Sequence, residues 1–312
     1  MSAAGLSLEV DIGALHLKNP VLAASGTAGF GREYAHFAPL FGAIVTKSVT
    51  LGPRAGNPPP RLVETSCGLL NSIGLENPGV EAFVRDELPA ARGLGVPIVA
   101  SIAGDSAAEY GELARAVSRA DGVAAIEVNI SCPNVARGGM LFGADPVQAA
   151  AAVGAARAAT RLPLIAKLTP NVTDVCAVAR AVVDAGADAV ALINTVAGMA
   201  IDAERRRPVL GGVFGGLSGP AIKPIALRMV WLVAEAIDRP VIGMGGICDA
   251  RDAVEFILAG AAAVGVGTAT FVDPGAAARV VDGIRAYLVE AGARSLRDIM
   301  GAARRWRDEA PA

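Results

Sequence analysis

Continuous apolar, often β-branched runs recur at 21–24, 43–49, 97–102, 125–129, 164–168, 189–193, 241–244 and 262–266. Unbroken apolar runs of this length mark strands buried on both faces, as in a parallel sheet covered by helices. Between them, 106–120, 145–159, 174–185, 220–237 and 249–259 repeat apolar residues at helical spacing and open on Ser, Asp or Pro. The alternation predicts an α/β fold, and eight strands are the number a closed (β/α)₈ TIM barrel requires. A doubly wound open sheet shows the same alternation, so the glycines decide. Ala23-Ala24-Ser25-Gly26-Thr27 after the first strand lacks the G-x-G-x-x-G of a dinucleotide fold. Ahead of the barrel, 6–12 and 15–17 flank Gly13-Ala14 and predict a small N-terminal β-hairpin closing one end. Three connections, 50–78, 130–145 and 194–219, are too long for simple turns. Each leaves the C-terminal end of a strand, the face where barrels carry their active sites.

Length and composition agree with one barrel domain over residues 1–312: 53% of residues are hydrophobic and only 19% charged. Lys and Arg are scattered and the net charge is −2, which argues against a nucleic-acid partner. No run reaches the ~18 apolar residues of a membrane span, and the first ten residues do not read as a signal peptide. A cytoplasmic protein without membrane attachment is expected. Cys67, Cys132, Cys176 and Cys248 form no C-x-x-C pair, so no metal site is expected.

Gly245-Gly246 and Gly267-Thr268 end the seventh and eighth strands. Loops there commonly hold a phosphate in barrels, which points to a phosphate-bearing cofactor. Lys47 and Lys167 lie in or at the end of apolar strands, where lysine needs a partner, and both are expected to face the barrel mouth. Cys132 follows the fourth strand in Ile130-Ser131-Cys132-Pro133-Asn134. It is either a small packing residue or a thiol tuned as a base near neutral pH. Asn71 and Asn194-Thr195 stand on the other two long connections. Their polar side chains match the alternating N–H and C=O edge of a pyrimidine, though each is equally a turn residue.

The motifs Ala24-Ser25-Gly26-Thr27, Thr46-Lys47-Ser48-Val49-Thr50, the stretch 71–79, 127–134, Ile193-Asn194-Thr195 and 243–247 together resemble dihydroorotate dehydrogenase over essentially the whole chain. The resemblance implies an FMN-binding (β/α)₈ barrel that oxidises dihydroorotate to orotate in pyrimidine synthesis. It implies Cys132 as the catalytic base, and Ser25, Lys47, Ser48, Asn129, Lys167, Ile193, Gly219, Gly245, Gly246, Gly267 and Thr268 at the flavin. Ser101, standing where the family usually has asparagine, is a further expected flavin contact. Lys47, Asn71, Ser72, Ile73, Gly74, Leu75, Asn129, Asn134, Asn194 and Thr195 are similar to substrate-binding positions. The loops Leu70-Asn71-Ser72-Ile73-Gly74-Leu75-Glu76-Asn77-Pro78-Gly79 and Asn134-Val135-Ala136-Arg137-Gly138-Gly139-Met140 look like those of the soluble class 1, NAD-linked (class 1B) branch. That branch implies a homodimer core within a heterotetramer and a partner subunit carrying FAD and a [2Fe-2S] cluster. Dihydropyrimidine dehydrogenase has a similar Asn-x-Ser-Cys-Pro turn and is the enzyme alternative; a barrel retained as a binding or scaffold protein is the other.

Overall fold

The eight expected strands are present, and each is buried on both faces. They are β1 (Val21–Ala23), β2 (Ala43–Val45), β3 (Ile98–Ile102), β4 (Val123–Asn129), β5 (Leu164–Lys167), β6 (Ala189–Leu192), β7 (Val241–Met244) and β8 (Ala263–Val266). In this computed structural model, which describes residues 5–131 and 143–306, they pair in parallel in chain order. The ring closes where β8 meets β1, with Val264 opposite Val21, Gly265 opposite Leu22 and Val266 opposite Ala23. This is a (β/α)₈ barrel. Successive strand residues point to opposite faces. Leu22, Val45, Val99, Ile165 and Ile242 therefore fill the barrel, while Val21, Ala23, Ile44 and Ile98 pack outward in the helix-covered layer.

The helices begin where polar caps allow. Ser106 accepts from the Glu109 amide at 3.2 Å ahead of Ala107–Ser118, and Asp145 from that of Val147 at 2.9 Å ahead of Pro146–Ala159. Asp174 accepts from Cys176 and Ala177 ahead of Val175–Asp184. Each cap satisfies amides that have no partner inside the helix. The expected hairpin forms from Val10–Ile12 and Leu15–Leu17. Its Ile12, Leu15 and Leu17 join the interior cluster, and its turn at Gly13 meets Asp188, just before β6. The hairpin thus closes the N-terminal end. Among the described residues, no helix is long and apolar enough to cross a membrane.

Two of the long connections are more ordered than their sequence suggests. Leu62–Thr65, Gly68–Asn71, Gly215–Ser218 and Val196–Gly198 form a four-stranded antiparallel sheet. Leu70 pairs with Leu217 and Asn71 with Gly216, tying 50–78 to 194–219 over the C-terminal face. Leu62–Thr65 and Gly68–Asn71 make a local hairpin, but three of the four short strands contain glycine and the hairpin's partner Gly215–Ser218 lies far along the chain, so no local pattern announces the sheet.

Candidate active site

Beneath the mouth of the barrel lies a row of polar side chains, buried except for the part-exposed Asn194 at its upper end. Asn194 donates to the Ser131 hydroxyl at 2.5 Å, and Ser131 donates to Asn129 Oδ1 at 2.6 Å. Asn129 Nδ2 donates to the Ser48 hydroxyl at 2.9 Å, which lies 2.7 Å from that of Ser101. Ser101 in turn donates to Glu127 Oε1 at 2.9 Å. A carboxylate only accepts, so the Ser101 hydrogen points to Glu127 and the Ser48 hydrogen to Ser101. Lys167 sits 3.8 Å from the other Glu127 oxygen, and both side chains are almost wholly buried. This pairing explains how a lysine can end an apolar strand.

Above this floor opens a cavity of about 610 Å³. Lys47 enters it because the chain leaves the barrel ladder after Thr46, whose amide still donates to Val99 O at 2.9 Å. The Lys47 amide donates to Gly29 O at 2.8 Å, and the chain rejoins β3 through the Val49 amide and Ser101 O at 2.9 Å. The Lys47 ammonium bonds Glu76 at 2.9 Å, and the Arg61 guanidinium lies 3.7 Å from the same carboxylate oxygen. The Lys47 hydrogen bond, reinforced by its charge, holds Glu76 below the usual carboxylate range. Asn71 reaches Gly216 O at 3.2 Å, and Asn194 accepts from the Thr195 amide at 2.7 Å.

The far end of the cavity is built from the turns after β7 and β8. Gly245 and Gly246 both have positive φ, and a Cβ at Gly246 would stand 2.8 Å from the Lys223 amide nitrogen, so only glycine fits there. Downstream, the start of Ala250–Ala259 is closed by a capping box between Asp249 and Asp252, and Asp252 also accepts from the Cys248 amide. That helix start is therefore engaged, which leaves the glycine turns as the stretch suited to an anion.

The cavity lining gathers Ser25, Lys47, Ser48, Asn129, Lys167, Ile193, Gly219, Gly245, Gly246, Gly267 and Thr268 with Asn71, Ser72, Ile73, Gly74, Leu75, Asn194 and Thr195. Ser101, expected at the flavin, is instead not part of the lining: its shorter side chain is wholly buried, supporting Ser48 and Glu127 from below. Cys132 and Asn134 lie outside the described residues. Sequence reasoning passed over Asn171, which lines the cavity and binds Thr195 O and the Ala197 amide. Its position four residues beyond Lys167, on the C-terminal face, was the available signal. Glu76 was in view within the 71–79 motif without a role, and Glu127 within 127–134.

A family model for "Dihydroorotate dehydrogenase" matches residues 7–288. The "Dihydroorotate dehydrogenase B (NAD(+)), catalytic subunit" of Desulforudis audaxviator is 58% identical over 298 residues, covering 95% of this chain and 97% of that one. The proteins of the same name from Geotalea daltonii and Trichlorobacter lovleyi are 54% and 55% identical, each over 95% of this chain and 97% and 98% of their own lengths. With a closed parallel barrel and a polar cavity at its C-terminal face, the chain belongs to the dihydroorotate dehydrogenase family.

Proposed function

We propose that this chain is the catalytic subunit of an NAD-linked dihydroorotate dehydrogenase, oxidising (S)-dihydroorotate to orotate in the pathway to UMP. Residues 1–312 act as one FMN-binding barrel domain in the cytoplasm. What carries the reading is the convergence of Asn71, Asn129, Asn194 and Thr195 with the Lys47 cation in one cavity whose far end is the Gly245-Gly246 turn. Amide and hydroxyl groups suit a pyrimidine edge, and an ammonium suits its carboxylate. The residues present also fit a flavin phosphate, because glycine turns after β7 and β8 are where barrels place one. No dinucleotide fingerprint that would hold FAD is present in the sequence. Serines 25 and 48, Lys167, Ile193, Gly219 and Thr268 complete the flavin surface, with Ser101 supporting it from beneath.

In the reaction, Cys132 removes the proton from substrate C5 as hydride leaves C6. A bound flavin supplies the two-electron acceptor. Asn71, Asn129, Asn134, Asn194 and Thr195 hold the ring, while Lys47 holds the carboxylate and reaches the flavin. The electrons pass to NAD through a partner carrying FAD and a [2Fe-2S] cluster, since the four cysteines of this sequence stand far apart without the closely spaced pattern of such a centre. Two copies form the dimeric core of a heterotetramer.

Heat-released flavin run on a column is expected to be FMN; FAD alone would overturn the assignment. The isolated chain should reduce an artificial dye with dihydroorotate and form almost no NADH. Rapid NADH formation by the chain alone would remove the partner. Cys132→Ala should slow flavin bleaching by about 10² to 10⁴, the usual loss of a general base. Cys132→Ser should recover activity only at higher pH, and an unchanged alanine variant would place the base elsewhere.

A further inference from the structure

Among the described residues lining the cavity there are two cations, Lys47 and Lys167, and one carboxylate, Glu76. The two lysines are held in contrasting ways. Lys167 is paired beneath the floor with Glu127, whose side chain is 2% exposed and further fixed by Ser101. That pair is enclosed by the barrel. Lys47 is paired at the rim with Glu76, whose side chain is 47% exposed. A carboxylate on the solvent side of its partner can leave without stranding a buried charge.

Glu76 has a second cation to go to. The Arg61 guanidinium lies 3.7 Å from it and is itself anchored, with Nε donating to Asn57 O at 2.5 Å and Nη2 to Ala55 O at 2.8 Å. The backbone on either side of Glu76 is fixed. Leu75 holds φ +54, and the buried Asn77 binds the Thr50 and Gly79 amides, the Thr50 hydroxyl and Leu75 O. Gly56 packs so closely that a Cβ there would stand 2.7 Å from that of Glu76. Only the end of the Glu76 side chain is left to move between the two cations.

We propose that Glu76 is an exchangeable latch on Lys47: it occupies the ammonium in the empty site, passes to Arg61 when the substrate carboxylate arrives, and thereby sets the affinity a carboxylate ligand must exceed. The proposal rests on the reading of Lys47 as the carboxylate-binding residue. Glu76 is ionised at neutral pH, because Lys47 holds it below the usual carboxylate range, so it competes as one carboxylate against another. The exchange makes and breaks no covalent bond and moves no proton.

The test is orotate binding to the flavin-loaded protein by equilibrium dialysis, with dihydroorotate turnover of the unaltered protein alongside. Glu76→Gln should tighten orotate about two- to fivefold, the size expected of a part-exposed ion pair, and leave uracil, the same ring without the carboxylate, unchanged. Glu76→Asp keeps the charge but withdraws it from Lys47, so it should also tighten orotate. Arg61→Met removes the second seat and should weaken it. In the Glu76→Gln background Arg61→Met should have no further effect, whereas simple loop damage would persist. Unchanged or weaker orotate binding in Glu76→Gln, an equal gain for uracil, or an Asp variant identical to the unaltered protein would each overturn the latch. Failure of the unaltered protein to bind orotate or oxidise dihydroorotate would instead overturn the substrate on which it rests.

Discussion

Glu127 and Lys167 face each other inside the barrel with 2% and 6% of their side chains exposed. Removing one member of so deep a pair leaves the other charge uncompensated, a loss of about 3–5 kcal/mol. Glu127→Ala should therefore lower the urea midpoint far more than any rim substitution, and an unchanged midpoint would mean that Lys167 finds other partners. Ser101→Ala leaves the Glu127 and Ser48 oxygens each short of one neighbour and should cost about 1–3 kcal/mol by the same measurement. The sequence showed that Lys47 and Lys167 needed partners, since lysines in apolar strands do. It could not show which, because Glu127 reaches Lys167 from the neighbouring strand and Glu76 reaches Lys47 from a connection folded back over the mouth.

Helix positions were legible because their caps are local: Ser106, Asp145, Asp174 and Asp249 each bind an amide two or three residues on. Joints between helices are less legible. Lys223, at the start of Lys223–Ala236, bonds Asp252 at 2.6 Å and Glu255 at 2.9 Å in Ala250–Ala259. Burial pushes the Asp252 carboxyl upward, but the Lys223 hydrogen bond and the Cys248 amide outweigh it and hold the group below its usual range. A depressed carboxyl stabilises the fold above its unfolded pKa and loses that contribution as pH falls through the folded value. Asp252→Ala should cost about 1–2 kcal/mol at pH 7. The gap between variant and unaltered protein should begin to narrow as pH falls below about 4, the ordinary aspartate pKa, and go on narrowing toward lower pH. A gap that stayed constant would place the effect in packing rather than charge.

For the whole molecule, strand count and glycine placement pointed to closure, and β8 pairing with β1 bears that out. The sheet from the two long connections was hidden, because its strands are only three or four residues long, three of the four contain glycine, and the central pairing of Gly68–Asn71 with Gly215–Ser218 spans more than a hundred residues of chain. At the opposite end, the hairpin plug is part of the interior. Leu17 is fully buried against it, so Leu17→Ala should cost about 2–5 kcal/mol in chemical unfolding; a negligible loss would make the hairpin an ornament. The polar floor between these two ends has an electrical consequence for the barrel. Its serine hydroxyls are committed toward Glu127, but the Asn129 amide interrupts them, and an amide N–H does not readily surrender its proton. Among the described residues the floor is therefore polar yet insulating: it offers a proton released in the cavity no relay down through the barrel and leaves the mouth, by which the substrate came in, as its way out.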